Sequence, residues 1–85
     1  MSLKRYKLQV LAILAENLKI PQPQLVPSTV IAKQMNMSLS QLQQVLRRME
    51  GFGEIETDLD LQFNLITLKG LNLLGEEMRT VRTPL

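Results

Sequence analysis

Side chains that form strong hydrogen bonds repeat at helical spacing between residues 38 and 49. A helix over this segment places four of them on one exposed face, because a helix repeats about every 3.6 residues. Their hydroxyl, amide and guanidinium groups are able to bond to base edges or phosphates in a major groove. No carboxylate lies in the segment. The four residues are Ser40, Gln43, Gln44 and Arg47.

The neighbouring residues predict where this helix begins, where it ends and how it packs. Ser38 caps its first turn, and Gln41 three positions later completes a capping box. Gly51 and Gly53 stop the helix, and Gly53 is the better candidate for a left-handed terminal residue. The face predicted to be buried consists of Leu39, Leu42, Val45, Leu46 and Met49.

A first helix is predicted over residues 3–20, and the prolines that follow it start an extended loop over residues 21–27. The apolar arc of this helix is wide, which indicates that it is covered on two sides. Its core stripe is Leu11, Leu14 and Leu18, and its second stripe is Leu8, Ala12 and Ala15.

A short second helix is predicted over residues 29–35, with Ser28 as its N-cap. Its inward residues are expected to be Val30, Ile31 and Met35. Asn36 and Met37 then form the turn into the third helix, so the two helices follow each other as a helix-turn-helix pair.

Alternation of polar and apolar residues predicts two strands, over residues 54–57 and 61–65, joined by a tight turn at residues 58–60. Thr67 caps a last helix, and residues from about 80 are expected to form a frayed tail. The predicted apolar stripe of the last helix is Leu71, Leu74, Met78 and Val81.

Composition limits the function of the chain. Its 85 residues form one domain, residues 1–85, with a single core. The absence of Cys and His excludes a thiolate nucleophile, a Cys/His zinc site and imidazole acid–base chemistry. We therefore expect no enzymatic activity, no cofactor and no metal. The acidic residues of the hairpin are interpreted as a solvated strand face, not as a metal site or a catalytic pair.

Charge is segregated along the chain. Up to Met49 every charged side chain except Glu16 is basic, whereas residues 50–68 carry only acidic charges. A basic front half fits a polyanionic partner, and an acidic hairpin argues against its contact with phosphate. The longest apolar run, residues 10–15, is far shorter than the roughly 20 residues of a membrane span. We expect a cytoplasmic protein that does not enter a membrane.

The order of these elements resembles the winged helix-turn-helix superfamily, and most nearly the bacterial MarR-type transcriptional regulators. The resemblance lies in residues 31–38, 45–56 and 65–70: a small-residue helix, a turn ending in Ser, a helix closing on a Gly-x-Ile strand entry, and a Leu-Thr-x-x-Gly helix start. It implies a small α+β fold of three helices, a two-stranded hairpin called the wing, and a C-terminal helix. The long dimerisation helices of MarR proteins are missing.

By that resemblance the third helix enters the major groove of double-stranded DNA, and Arg48 holds phosphate. Family wings commonly carry Arg or Lys at the tip, where this chain has Asp58 and Asp60. The predicted function is transcriptional regulation, and the predicted DNA-binding residues are Ser38, Ser40, Gln41, Gln43, Gln44, Arg47 and Arg48.

Two alternatives remain open at this point. The first is that the chain is a winged helix that binds protein through the acidic wing or the wide apolar face of the first helix. The second concerns assembly: the last helix packs on the first helix either within one chain or between the two chains of a homodimer.

Overall fold

The computed structural model describes residues 2–22 and 25–81, with side chains as far as residue 78. Within these residues the fold is α+β, with four helices and one three-stranded antiparallel sheet. In chain order the elements are α1 (Leu3–Asn17), β1 (Val26–Pro27), α2 (Ser28–Met35), α3 (Leu39–Gly51), β2 (Ile55–Thr57), β3 (Phe63–Ile66) and α4 (Leu68–Val81).

The sheet has the order β1-β3-β2, so the last strand lies in the centre. Ile55 is opposite Ile66 in the β2–β3 hairpin, and Val26 is opposite Asn64 on the other edge. The prediction of a two-stranded hairpin was therefore incomplete. The loop before α2 contributes β1, where Pro27 is tolerated because the strand is short and lies at an edge.

The core lies where α1, α2 and α3 meet the sheet. The predicted inner face of α3 is confirmed except at Leu39, which is 38% exposed at the first position of the helix. In α1, Leu11 and Leu14 are buried as predicted, whereas Leu18 is exposed because the helix already ends at Asn17. The remaining fully buried core residues outside α3 are Val10, Ile31 and Ile55.

The second helix differs from its prediction in two ways. Ser28 is its first residue and not its N-cap; that position is Pro27, which has no capping side chain. Val30, expected to face inward, is 41% exposed, and Ala32 is buried instead. The Ser28 hydroxyl points to the hairpin instead, where it donates to the Leu61 carbonyl 2.5 Å away and accepts from the Asn64 side-chain amide at 2.8 Å.

The central strand carries a buried polar residue that the alternating pattern placed outside. Asn64 is fully buried, while Phe63 is 42% exposed. Leu61 adopts a left-handed backbone with φ of 57° and belongs to the turn. This turn shifts the strand by one position relative to the predicted alternation, and such a shift exchanges the two faces of a strand.

The last helix packs on α1 of the same chain, and the Lys4 and Glu77 side chains form an ion pair of 3.0 Å between them. Thr67 caps it as predicted, because its Oγ1 accepts from the Gly70 amide. A side chain at Gly70 would collide with the Glu54 carbonyl, so the glycine permits close approach. Leu74 is half-buried, but Leu71 and Met78 of the predicted stripe are exposed. The Val81 side chain and the tail after it lie outside the described residues.

Candidate nucleic-acid interface

The start of α3 is fixed by the predicted capping box. The Ser38 hydroxyl accepts from the Gln41 amide at 3.1 Å, and the Gln41 Oε1 accepts from the Ser38 amide at 3.2 Å. Both residues are exposed, but these atoms are already engaged. Ser38 and the Gln41 oxygen therefore set the position of α3, and the Gln41 Nε2 keeps its donors for another partner.

The outward face of α3 is polar, as predicted. Ser40, Gln44 and Arg47 are exposed at positions that share the side opposite the core, and none forms a hydrogen bond or ion pair through its side chain with another described residue. The helix thus presents one hydroxyl, one amide and one guanidinium group to an incoming ligand.

Two surfaces flank this outward face, and they differ in charge. The first, which we call the hairpin flank, is a depression between the end of α3 and the β2–β3 turn. Two carboxylates, Glu50 and Asp58, lie in it beside Arg47, without forming an ion pair within the described residues. The complete lining is Arg47, Glu50, Thr57, Asp58, Leu59 and Leu61.

Gln43 lies on the same side of α3 but nearer its start. It is half-buried and shares a cleft with Leu39 and Phe63. The prediction that Gln43 shares one exposed face with Gln44 is therefore wrong: Gln43 faces the hairpin side, and Gln44 faces the α1 side.

The second surface, which we call the α1 notch, lies between α3 and the first turns of α1. None of the described residues that line it carries a carboxylate. Tyr6 contributes from α1, and Arg48 from α3 is exposed at its rim. The complete lining is Leu3, Tyr6, Gln41, Gln44, Val45 and Arg48.

The prediction that the acidic residues of the hairpin form one solvated strand face is wrong. Glu54 precedes β2 and is buried, with its Oε2 2.9 Å from the Lys7 Nζ. The same Nζ lies 4.7 Å from the centre of the Phe52 ring, which adds a cation–π contact. Glu54 is buried because α1 and α4 pack over the strand entry, and Lys7 supplies the charge that a buried carboxylate requires. Within the described ranges, no three acidic side chains gather as metal ligands.

Asp58 stabilises the hairpin turn. Its Oδ1 accepts from the Gln62 amide at 2.7 Å and the Phe63 amide at 3.0 Å. The Phe63 amide is the main cause that lowers the pKa of the Asp58 carboxyl, against the opposing effect of desolvation; the Gln62 amide lowers it further. This carboxylate is therefore a structural acceptor as well as a source of negative charge.

No protein-family model, curated protein or solved structure matches this chain. None of the helices in the described part of the chain has the length and apolar character needed to cross a membrane.

Sequence reasoning missed the residues that complete the site. No role was predicted for Tyr6 or Lys7 from the sequence. Both are placed by the packing of α1 across α3, which no local pattern specifies. The only available signal was the helical spacing of Leu3, Tyr6 and Val10, which brings Tyr6 close to the buried side of α1.

Proposed function

We propose that the chain is a winged helix that binds double-stranded DNA through α3, as a transcriptional regulator. The observation that carries the proposal is the outward face of α3, which has exposed hydrogen-bonding groups and no carboxylate from residue 39 to residue 49. Two further features support it: the α2–α3 pair, and a sheet of the order β1-β3-β2 whose hairpin follows α3. With this function we propose a cytoplasmic location.

In this proposal the side chains divide by role. Ser40, Gln43 and Gln44 face base edges, and Arg47 and Arg48 contact phosphate. Ser38 and Gln41 hold the helix start through the capping box. The acidic hairpin remains outside the contact, because Asp58 and Asp60 would repel the DNA backbone.

The direct test is binding to a random-sequence duplex, measured by fluorescence anisotropy over a range of salt concentrations. Because binding releases counterions, the logarithm of the affinity should fall linearly with the logarithm of the salt concentration. The double variant R47A/R48A should bind all sequences more weakly and with a shallower slope. Absence of salt-sensitive binding at low ionic strength would refute the proposal.

A second function, protein binding through the hairpin, is favoured by one observation. Leu59 is fully exposed at the turn, between Asp58 and Asp60. An apolar side chain between two carboxylates fits a partner with an apolar pocket and a basic rim. In this function Leu59 and the two carboxylates beside it make the contact, and α3 does not. The variant L59S should therefore lose the protein partner and keep its affinity for DNA.

We also propose that the chain self-associates as a homodimer, as binding to paired half-sites on DNA would require. Leu68, Leu71 and Met78 remain exposed on α4 after this helix has packed on α1. They provide the apolar surface for a second copy. Sedimentation equilibrium at micromolar concentration tests this: a dimer mass is expected, and a monomer mass throughout would exclude the dimer.

A further inference from the structure

We propose that the α1 notch is the main phosphate-binding site of the protein, and that it replaces the wing in holding the DNA backbone. This inference rests on the proposed DNA-binding function and assigns a new residue, Tyr6, to the contact. Its ligand is a phosphodiester group of the duplex, on the side of α3 that faces away from the hairpin.

The notch has the chemistry of an anion site. The polar lining groups assigned to phosphate are the Tyr6 hydroxyl, the Gln41 amide and the Arg48 guanidinium; the Gln44 amide also lines the notch but is assigned to a base edge. Each offers an N–H or O–H donor, and guanidinium groups bind phosphate in a bidentate manner. No carboxylate lines the notch to compete for these donors.

The donors are free to act. None of the side-chain donors of Tyr6, Gln44 and Arg48 is hydrogen-bonded within the described residues. For Gln41 the capping box binds the oxygen of the amide and leaves its nitrogen unused. A preorganised amide of this kind loses little side-chain entropy when it binds a ligand.

The hairpin flank is a weaker site for phosphate. Arg47 is its only basic lining residue, and Glu50 and Asp58 share the depression with it. Their two negative charges offset the attraction of one guanidinium for phosphate, because the charges that line one depression sum in its local field. From this difference we expect the DNA backbone to contact α3 mainly on its α1 side.

Single-residue variants test this by anisotropy with the random duplex over a series of salt concentrations. For R48Q the slope of log affinity against log salt should fall by about 0.9, the value for one phosphate contact. For R47Q the loss should be less than half of that. The control K19Q removes an exposed charge just after the end of α1, where Lys19 pairs with Glu16 at 3.1 Å, and should leave the slope unchanged.

The variant Y6F isolates the new residue. It keeps the ring and removes only the hydroxyl, so binding should weaken about tenfold at every salt concentration, the usual effect of one hydrogen bond to a charged group. The slope should stay the same because a hydroxyl carries no charge. Thermal unfolding of each variant shows whether the fold is intact.

The outcomes separate the two proposals. If the unmutated chain does not bind duplex DNA, the proposed function fails and the notch assignment fails with it. If it binds with a normal slope but R48Q and Y6F match K19Q, only the notch assignment is wrong. Larger slope loss in R47Q than in R48Q would assign the backbone to the hairpin flank. Saturable binding of inorganic phosphate to the notch, with no effect of these variants on DNA, would assign it to a free anion and overturn the inference.

Discussion

The α1 notch and the hairpin flank share the helix α3, but they differ in charge and in the element that packs beside the helix. On the α1 side, hydrogen-bond donors surround a notch without acidic groups, whereas on the hairpin side Arg47 lies beside Glu50 and Asp58. A charged residue on one helix can thus have opposite effects depending on which element packs next to it. For this chain, the helix sequence alone gives equal weight to Arg47 and Arg48, and the packing distinguishes them.

The two sides are also held in place by different interactions. On the α1 side a buried ion pair, Lys7 with Glu54, joins α1 to the entry of β2. On the hairpin side an uncharged network joins Ser28 to Asn64 and to the Leu61 carbonyl, at 2.8 and 2.5 Å. Loss of the ion pair should therefore disturb the notch and the stability of the domain, and loss of the network should loosen the hairpin.

The largest expected effect is on the ion pair. The variant E54Q should lower the free energy of unfolding by about 3 kcal/mol, because it leaves the Lys7 cation largely buried without its partner. Urea unfolding at pH 7 measures this change. K7M should have a similar cost for the opposite reason, since it leaves the Glu54 carboxylate unpaired.

A double variant provides the control. K7M/E54L removes both charges together and should recover most of the lost stability, because apolar replacement of a buried pair is often close to neutral. Additive losses in the double variant would show that the two residues act independently and that the ion pair does not join the elements.

A second expected effect concerns base reading, and it compares Gln44 with Gln43. A bidentate amide contact with adenine contributes roughly 1 to 3 kcal/mol of discrimination. Q44A should relax the preference at one base position by about 2 kcal/mol on this scale. Q43A should have a smaller effect, because Gln43 is half-buried beside the hairpin. A selection of binding sites from random duplexes measures both, and an unchanged motif for Q44A would remove this residue from the reading role.

Local signals in the sequence predicted much of the fold. The capping box of Ser38 and Gln41 and the left-handed Gly53, with φ of 76°, are encoded within a few residues and were correct. The strand β1 and the burial of Asn64 were not predictable in this way. The burial of Asn64 depends on partners distant in sequence, because its Nδ2 donates to the Ser28 hydroxyl and to the Val26 carbonyl.

In the candidate site, too, local features could be predicted from the sequence and features set by long-range packing could not. Helical periodicity correctly predicted that Ser40, Gln44 and Arg47 would be exposed on one side of α3. It could not show that Gln43 would lie against the hairpin or that Tyr6 would share a notch with Arg48. Those facts depend on the angle at which α1 and the hairpin meet α3, and long-range packing sets that angle.

The third prediction tests the network on the hairpin side. S28A should lower the free energy of unfolding by about 1.5 kcal/mol, because the Asn64 amide and the Leu61 carbonyl each lose a buried partner. The matched control is T29A, which removes an exposed hydroxyl from the next residue. Amide hydrogen exchange in residues 61–66 should quicken in S28A alone. An equal effect of T29A would indicate a general loss of helix stability and not a local network.

The smallest expected effect is the pH dependence of the hairpin turn. Hydrogen bonds from the Phe63 and Gln62 amides lower the pKa of Asp58 below its ordinary value of 3.8. The ionised form is thus favoured by folding, and its contribution to stability is present above the unfolded pKa and lost as pH falls through the lower folded pKa. D58N should therefore lose less stability than the unmutated chain when urea unfolding is compared between neutral and strongly acidic pH.

The control is D60N, since the Asp60 side chain has no hydrogen bond within the described residues. Each variant removes one negative charge from the hairpin, so both should raise DNA affinity by a similar small factor, but only D58N should change the acid dependence of unfolding. If D60N changes it equally, net charge and not the two amide hydrogen bonds controls the turn.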